Sequence, residues 1–153
     1  MSWEAVGAVG ELLGAIGVIV SLLYLATQIR QNTQSIRANT YQDFTRESAE
    51  ITRAALLSSD LLEELRPILT GERRFDPARD QRFHVVCGLY ARNLQVGFLE
   101  TQRGRIDERM FDSYASYHIE HWVAGPGWAD WWALNRKHFD PEFTAWIDSR
   151  IAA

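Results

Sequence analysis

The sequence predicts an all-α protein, with one N-terminal transmembrane helix continuing into a long juxtamembrane helix and followed by a small helical bundle. Three observations carry this reading. The stretch from Ala5 to Thr27, AVGAVGELLGAIGVIVSLLYLAT, is 23 residues long and holds one formal charge, Glu11. Between Val18 and Arg66 there is no Gly or Pro, so nothing obliges a helix to stop at a membrane surface. Beyond that point, apolar residues recur at helical spacing between Pro and Gly breaks, and no clear period-two strand interrupts them.

The first element is read from its length. At about 1.5 Å per residue the apolar stretch spans roughly 34 Å as a helix. A bilayer core is about 30 Å thick and needs about 20 mostly apolar residues. A cleaved signal peptide would carry a basic leader. Met1 to Glu11 hold two Glu and no Lys or Arg, so the stretch reads as an uncleaved anchor. Its rival is a hydrophobic core helix. The first positive charges, Arg30 and Arg37, follow the span. The positive-inside rule then places the N-terminus outside and the C-terminal body in the cytoplasm.

The second element carries Ile29, Ile36, Thr40, Phe44, Ile51 and Ala55 as a thin helical stripe and is expected to end near Leu57. Ser58, Ser59 and Asp60 read as a stop and restart, with Asp60 and Glu63 resembling a capping box. This divides the chain into an anchor, 1–27, a juxtamembrane helix, 28–57, and a cytoplasmic bundle, 58–153. The first bundle helix carries Leu61, Leu62, Leu65, Ile68 and Leu69, is kinked by Pro67 and ends at Gly71. Asp76-Pro77 then predicts a helix start, an acid at the N-cap with proline behind it. That helix runs to Gln102, stops at Gly104 and turns Phe83, Val86, Tyr90, Leu94 and Phe98 inward. Asp107 caps the next, which carries Met110, Phe111, Tyr114, Tyr117, His118, His121 and Trp122 and is broken by Gly125-Pro126-Gly127. A short helix covers Trp128 to His138. Asp140-Pro141 repeats the cap, and the last helix holds Phe143, Trp146, Ile147 and Ile151.

Composition sets bounds. Of 153 residues, 46% are hydrophobic, and no other window approaches a second span. Removing the anchor leaves about 125 residues, enough for one small domain with a modest core. A net charge of −4 argues against nucleic acid as a partner. The single cysteine, Cys87, has no internal disulfide partner and fits a reducing compartment.

The order of these pieces, an apolar glycine-bearing span, then YLATQIRQNTQSIRANTYQ, a helical body, GPGWADWW and HFDPEFTAWID, resembles a family of small uncharacterised bacterial proteins with an N-terminal membrane anchor and a helical cytoplasmic body. The resemblance implies that architecture and carries over no catalytic residue.

Small residues on the span form the leading candidate site. Gly7, Gly10, Gly14, Gly17 and Ser21 are spaced three, four, three, four, a pattern that keeps one face toward a partner helix. In lipid, small residues let helices approach closely, and close packing drives their association. This predicts a homo-oligomer interface. The plainer account is that glycine is common in spans. Glu11 flanks that face. A carboxylate inside hydrocarbon is costly and faces a partner or water. It would line a pore or ion site in an oligomer, or reach the nearby outer surface, as an acid within two turns of it can. His118 and His121 are three apart on one helix and are the weak metal candidates, but no further ligand motif completes them, and packing beside Tyr117 and Trp122 is the plainer account. Cys87 sits beside Val85 and Val86, where a thiol is inert. Five of six tryptophans fall between Tyr114 and Trp146, at spacings suited to docking on neighbouring helices.

The expectation is therefore a membrane-anchored helical homo-oligomer of the bacterial inner membrane, a non-catalytic scaffold or interaction protein without cofactor. Its partners are the lipid bilayer, other copies of itself and a cytoplasmic protein. The alternatives are a homo-oligomeric ion or small-solute pore built around Glu11 and, third, a metal-dependent enzyme using His118 and His121.

Overall fold

A computed structural model of the protein describes residues 3–56, 59–123 and 125–151. It is all-α: a long N-terminal helix is followed by a helical bundle, and the described residues contain no strand. Among the described residues six α-helices run in order, α1 Trp3–Leu56, α2 Ser59–Leu69, α3 Gln81–Gln102, α4 Glu108–His118, α5 Pro126–Asn135 and α6 Pro141–Ile151. A π-helical turn, Ile119–Val123, follows α4, and a 3₁₀ turn, Arg136–His138, follows α5. The expected end of α1 near Leu57, and Ser58 after it, lie outside the described residues.

The chain divides into two units, Met1–Asn39 and Thr40–Ala153, so α1 contributes to both. In the first unit every side chain described is exposed, including the large apolar ones from Val6 to Leu25. Among the described residues one helix, the apolar part of α1, is long and apolar enough to cross a membrane. Its hydroxyls are satisfied within the helix: Ser21 Oγ donates to the Gly17 carbonyl at 2.8 Å, Thr27 Oγ1 to Tyr24 at 2.7 Å and Thr33 Oγ1 to Ile29 at 2.9 Å. Hydroxyls bonded back to the preceding turn leave no donor unmet on an apolar surface.

In the second unit, α3 is the central element and packs against α4, α5 and α6, while α2 packs against α5. The core takes Phe44 from α1, Leu65 and Ile68 from α2, and Phe83, Tyr90, Leu94 and Phe98 from α3. Trp128, Trp131 and Trp132 from α5 and Phe143 and Ile147 from α6 complete it. The three α5 tryptophans are buried, whereas Trp146 is half-buried against the core; Trp131 Nε1 donates to His84 Nδ1 and Trp132 Nε1 to Asp148 Oδ1. The stripe on α1 changes its role along the helix. Ile29 and Ile36 are exposed, whereas Phe44 is buried and Ile51 half-buried.

The caps explain most boundaries. Asp107 Oδ1 accepts from the backbone of Arg109 and Met110, and Asp140 Oδ1 from Glu142 and Phe143. Each carboxylate satisfies two otherwise orphaned helix donors. Gly71 and Gly104 close α2 and α3 with φ of +77° and +68°, a conformation other residues adopt at a cost. Pro67 lies inside α2 without ending it.

The start of α3 differs from the sequence reading, as do the end of α4, which gives way to the π-helical turn at Ile119, and the start of α5, at Pro126 rather than Trp128. Asp76-Pro77 does begin a turn: Asp76 Oδ1 accepts from Ala78, and the Asp76 carbonyl from Asp80. That turn is not continuous with α3, which starts at Gln81. The interruption lies at Asp80. Its buried carboxylate takes two bonds from Arg73, at 2.6 and 2.9 Å, and one from the Asp76 backbone at 2.9 Å. With its carboxylate turned back to the loop, Asp80 makes no side-chain cap on α3. The Arg73 bonds hold the Asp80 carboxyl below its ordinary titration range against the opposing effect of burial.

Candidate assembly face and body groove

The small-residue face of the first unit is open. A Cβ added at Gly7, Gly10, Gly14 or Gly17 meets no described atom within 4 Å. By contrast, a Cβ at Gly97 on α3 lies 2.6 Å from Phe111 and 2.7 Å from Phe44. One at Gly127 on α5 lies 2.5 Å from the Ile68 carbonyl. Gly97 and Gly127 thus serve close packing within the chain, and the α1 glycines pack against nothing described. Glu11 is exposed beside Gly10 on the flank of that face.

The two candidate metal ligands have different surroundings. His118 ends α4 and is buried among rings: Tyr114 at 4.3 Å, Tyr117 at 5.4 Å edge-on and Tyr90 at 5.6 Å. Its Nδ1 has no hydrogen-bond partner among the described residues. Burial first, then the neighbouring His121, pushes its pKa down and favours the neutral ring. His121 is exposed, stacked on Tyr117 at 4.4 Å, with Nδ1 2.8 Å from the Tyr117 carbonyl. The π-helical turn begins between them and changes the angular step that a regular helix would give the pair. Asp112, a neighbouring carboxylate, pairs with Arg150 at 3.3 Å. Among the described residues no three His, Cys, Asp or Glu side chains cluster to hold a metal. Cys87 is buried, and burial pushes its thiol pKa up, which disfavours the reactive thiolate.

Sequence reasoning did not find a polar ladder that joins the second part of α1 to α3 and α4. The Phe44 carbonyl can only accept, so the Asn93 Nδ2 at 3.4 Å donates to it. Asn93 Oδ1 therefore faces Tyr114, whose hydroxyl donates to it at 2.8 Å. With that proton committed, Ser48 Oγ is the donor in the short hydrogen bond between Ser48 and Tyr114. Thr52 Oγ1 bonds the Tyr90 hydroxyl at 2.9 Å. Burial raises both phenol pKa values, Tyr114 to about 12. Ser48 is itself buried, four residues after Phe44, so a hydroxyl inside the apolar stripe was the available signal. Its partner lies 66 residues away, and local periodicity cannot name it.

Beside this ladder runs a groove of about 610 Å³, bordered by α1 through Thr45, Ser48, Thr52 and Arg53 and by α4 through Tyr114, Tyr117 and His118. Arg53 is exposed and forms no ion pair among the described residues. Compared with models of protein families, with curated proteins and with solved structures, the chain matches none.

Proposed function

We propose that this chain is a membrane-anchored homo-oligomer of the bacterial inner membrane, with its N-terminus outside and its helical body in the cytoplasm, where it acts as a non-catalytic scaffold or interaction protein. The observation that carries the reading is the uncovered small-residue face on the apolar part of α1. Leaving one Leu, Ile or Val in water rather than burying it forgoes about 1.5–3 kcal/mol. The exposed run from Val6 to Leu25 repeats that penalty along the helix, and lipid removes it. Lipid gives little drive for one helix to seek another, so the glycine face supplies the specific contact. The intrahelical bond of Ser21 leaves its hydroxyl content in hydrocarbon and its side chain small enough for close approach.

The body supports an interaction role. It has its own core, and the Ser48 and Thr52 hydroxyls that border its groove are tied to tyrosines in a structural ladder rather than to a base that would activate them. The partners are the bilayer, further copies of this chain and a cytoplasmic protein. The test is the mass of the purified full chain in detergent: Gly14→Ile should lower it by blocking close approach, and an unchanged oligomer would remove the basis of the reading.

A further inference from the structure

We propose that the groove between the second part of α1 and α4 binds a small aromatic carboxylate, with its ring on the Tyr114–Tyr117–His118 wall and its anion on Arg53.

The groove's volume, about 610 Å³, falls in the range of small-molecule sites, roughly 300–1,000 Å³. Its polar groups are largely committed. Thr45 Oγ1 donates to the Tyr41 carbonyl at 3.0 Å, Ser48 to Tyr114, and Thr52 bonds Tyr90. With those hydroxyls occupied, the surface left to a ligand is mainly ring and methyl. Tyr117 gives the wall its exposed ring, standing at 90° to His118, which lies 4.3 Å from Tyr114. Aromatic groups gain from such offset and edge-on contacts beyond their area alone.

Two polar features remain. Arg53 has no ion pair among the described residues and a planar fork that matches a carboxylate. Glu50, three residues earlier, forms no ion pair with it. The other is His118, which lines the same wall while its Nδ1, without a partner among the described residues, is buried away from the groove, so its imidazole reports on the wall without touching the anion. An aromatic body with one anionic end meets the ring wall and the Arg53 cation together; a neutral hydrocarbon meets only the wall.

The probe is 1-naphthoate, titrated into the full chain in detergent while the His118 imidazole signals are followed by NMR. Expected are saturable shifts at His118, an affinity about fivefold weaker in Arg53→Gln, and a comparably weak affinity of wild type for the uncharged 1-naphthamide. A fivefold loss corresponds to about 1 kcal/mol, the scale of one exposed ion pair. Tyr117→Ala removes an exposed part of the wall and should weaken both probes alike. Detergent partitioning of one probe is the same for every variant and drops out of that comparison; between the two probes, affinities are referred to the free concentration outside the micelles, because the uncharged amide partitions more strongly. The proposal is overturned if naphthoate leaves His118 unshifted at millimolar concentration, or if Arg53→Gln binds it as tightly as wild type.

Discussion

Two glycines on α3 allow one substitution to be compared in two settings. Gly88 and Gly97 both lie inside the helix, and Gly→Ala raises helix propensity by about 1 kcal/mol at either. Their surroundings differ. At Gly88 a new Cβ comes to 3.9 Å from Trp131 Cζ2, an ordinary contact. At Gly97 it comes to 2.6 Å from Phe111 Cε2 and 2.7 Å from two atoms of the Phe44 ring. Both rings are buried, with centroids 6.2 Å apart, so neither can swing away without disturbing the core. Overpacking of this kind costs about 1–3 kcal/mol. Propensity cancels between the two variants, and their stabilities should differ by that cost. At about 4 °C per kcal/mol for a body of this size, the expected gap in Tm is about 4–12 °C, with Gly88→Ala above wild type. Thermal unfolding of the full chain in detergent, followed by near-UV circular dichroism of its tryptophans, reads this directly. Equal melting temperatures, or Gly97→Ala the more stable, would refute the claim that α1, α3 and α4 meet at van der Waals distance there.

Two further outcomes follow from the polar interior. Tyr114→Phe removes the hydroxyl that links Ser48 to Asn93 and should cost about 1–3 kcal/mol in the same melt, because the buried Asn93 carbonyl is left unmet. His118 binds a proton less readily folded than unfolded, so as pH falls below about 6.5 the unfolded chain takes up its proton first. Stability is retained above that pH and lost below it until the folded His118 also protonates; the drop in Tm between pH 8 and pH 5.5 should shrink in His118→Gln.

How much could be read from the sequence depended on how local the chemistry is. The caps at Asp107 and Asp140 and the glycine ends of α2 and α3 were legible because an acid or a glycine acts on backbone within four residues. The start of α3 was misplaced because Arg73 draws the Asp80 carboxylate back into the loop, and no propensity encodes that bond. The shift of α1 from exposed to buried was hidden because Ile29, Ile36, Phe44 and Ile51 keep one helical period across it; the period marks a face but not what covers it. The histidine pair looked like one face only on a regular helix, and the π-helical turn at Ile119 replaces that helix. The groove and its ladder depend on pairs such as Ser48 and Tyr114, brought together by packing alone.

The glycine face is tested most directly by sedimentation equilibrium of the full chain in a density-matched detergent, comparing wild type with Gly14→Ile and Ile19→Phe. Both substitutions add bulk to the apolar helix, on opposite sides of it. The account expects an oligomer for wild type and Ile19→Phe and a marked shift toward monomer for Gly14→Ile. A wild-type monomer, or the same oligomer in all three, would contradict it.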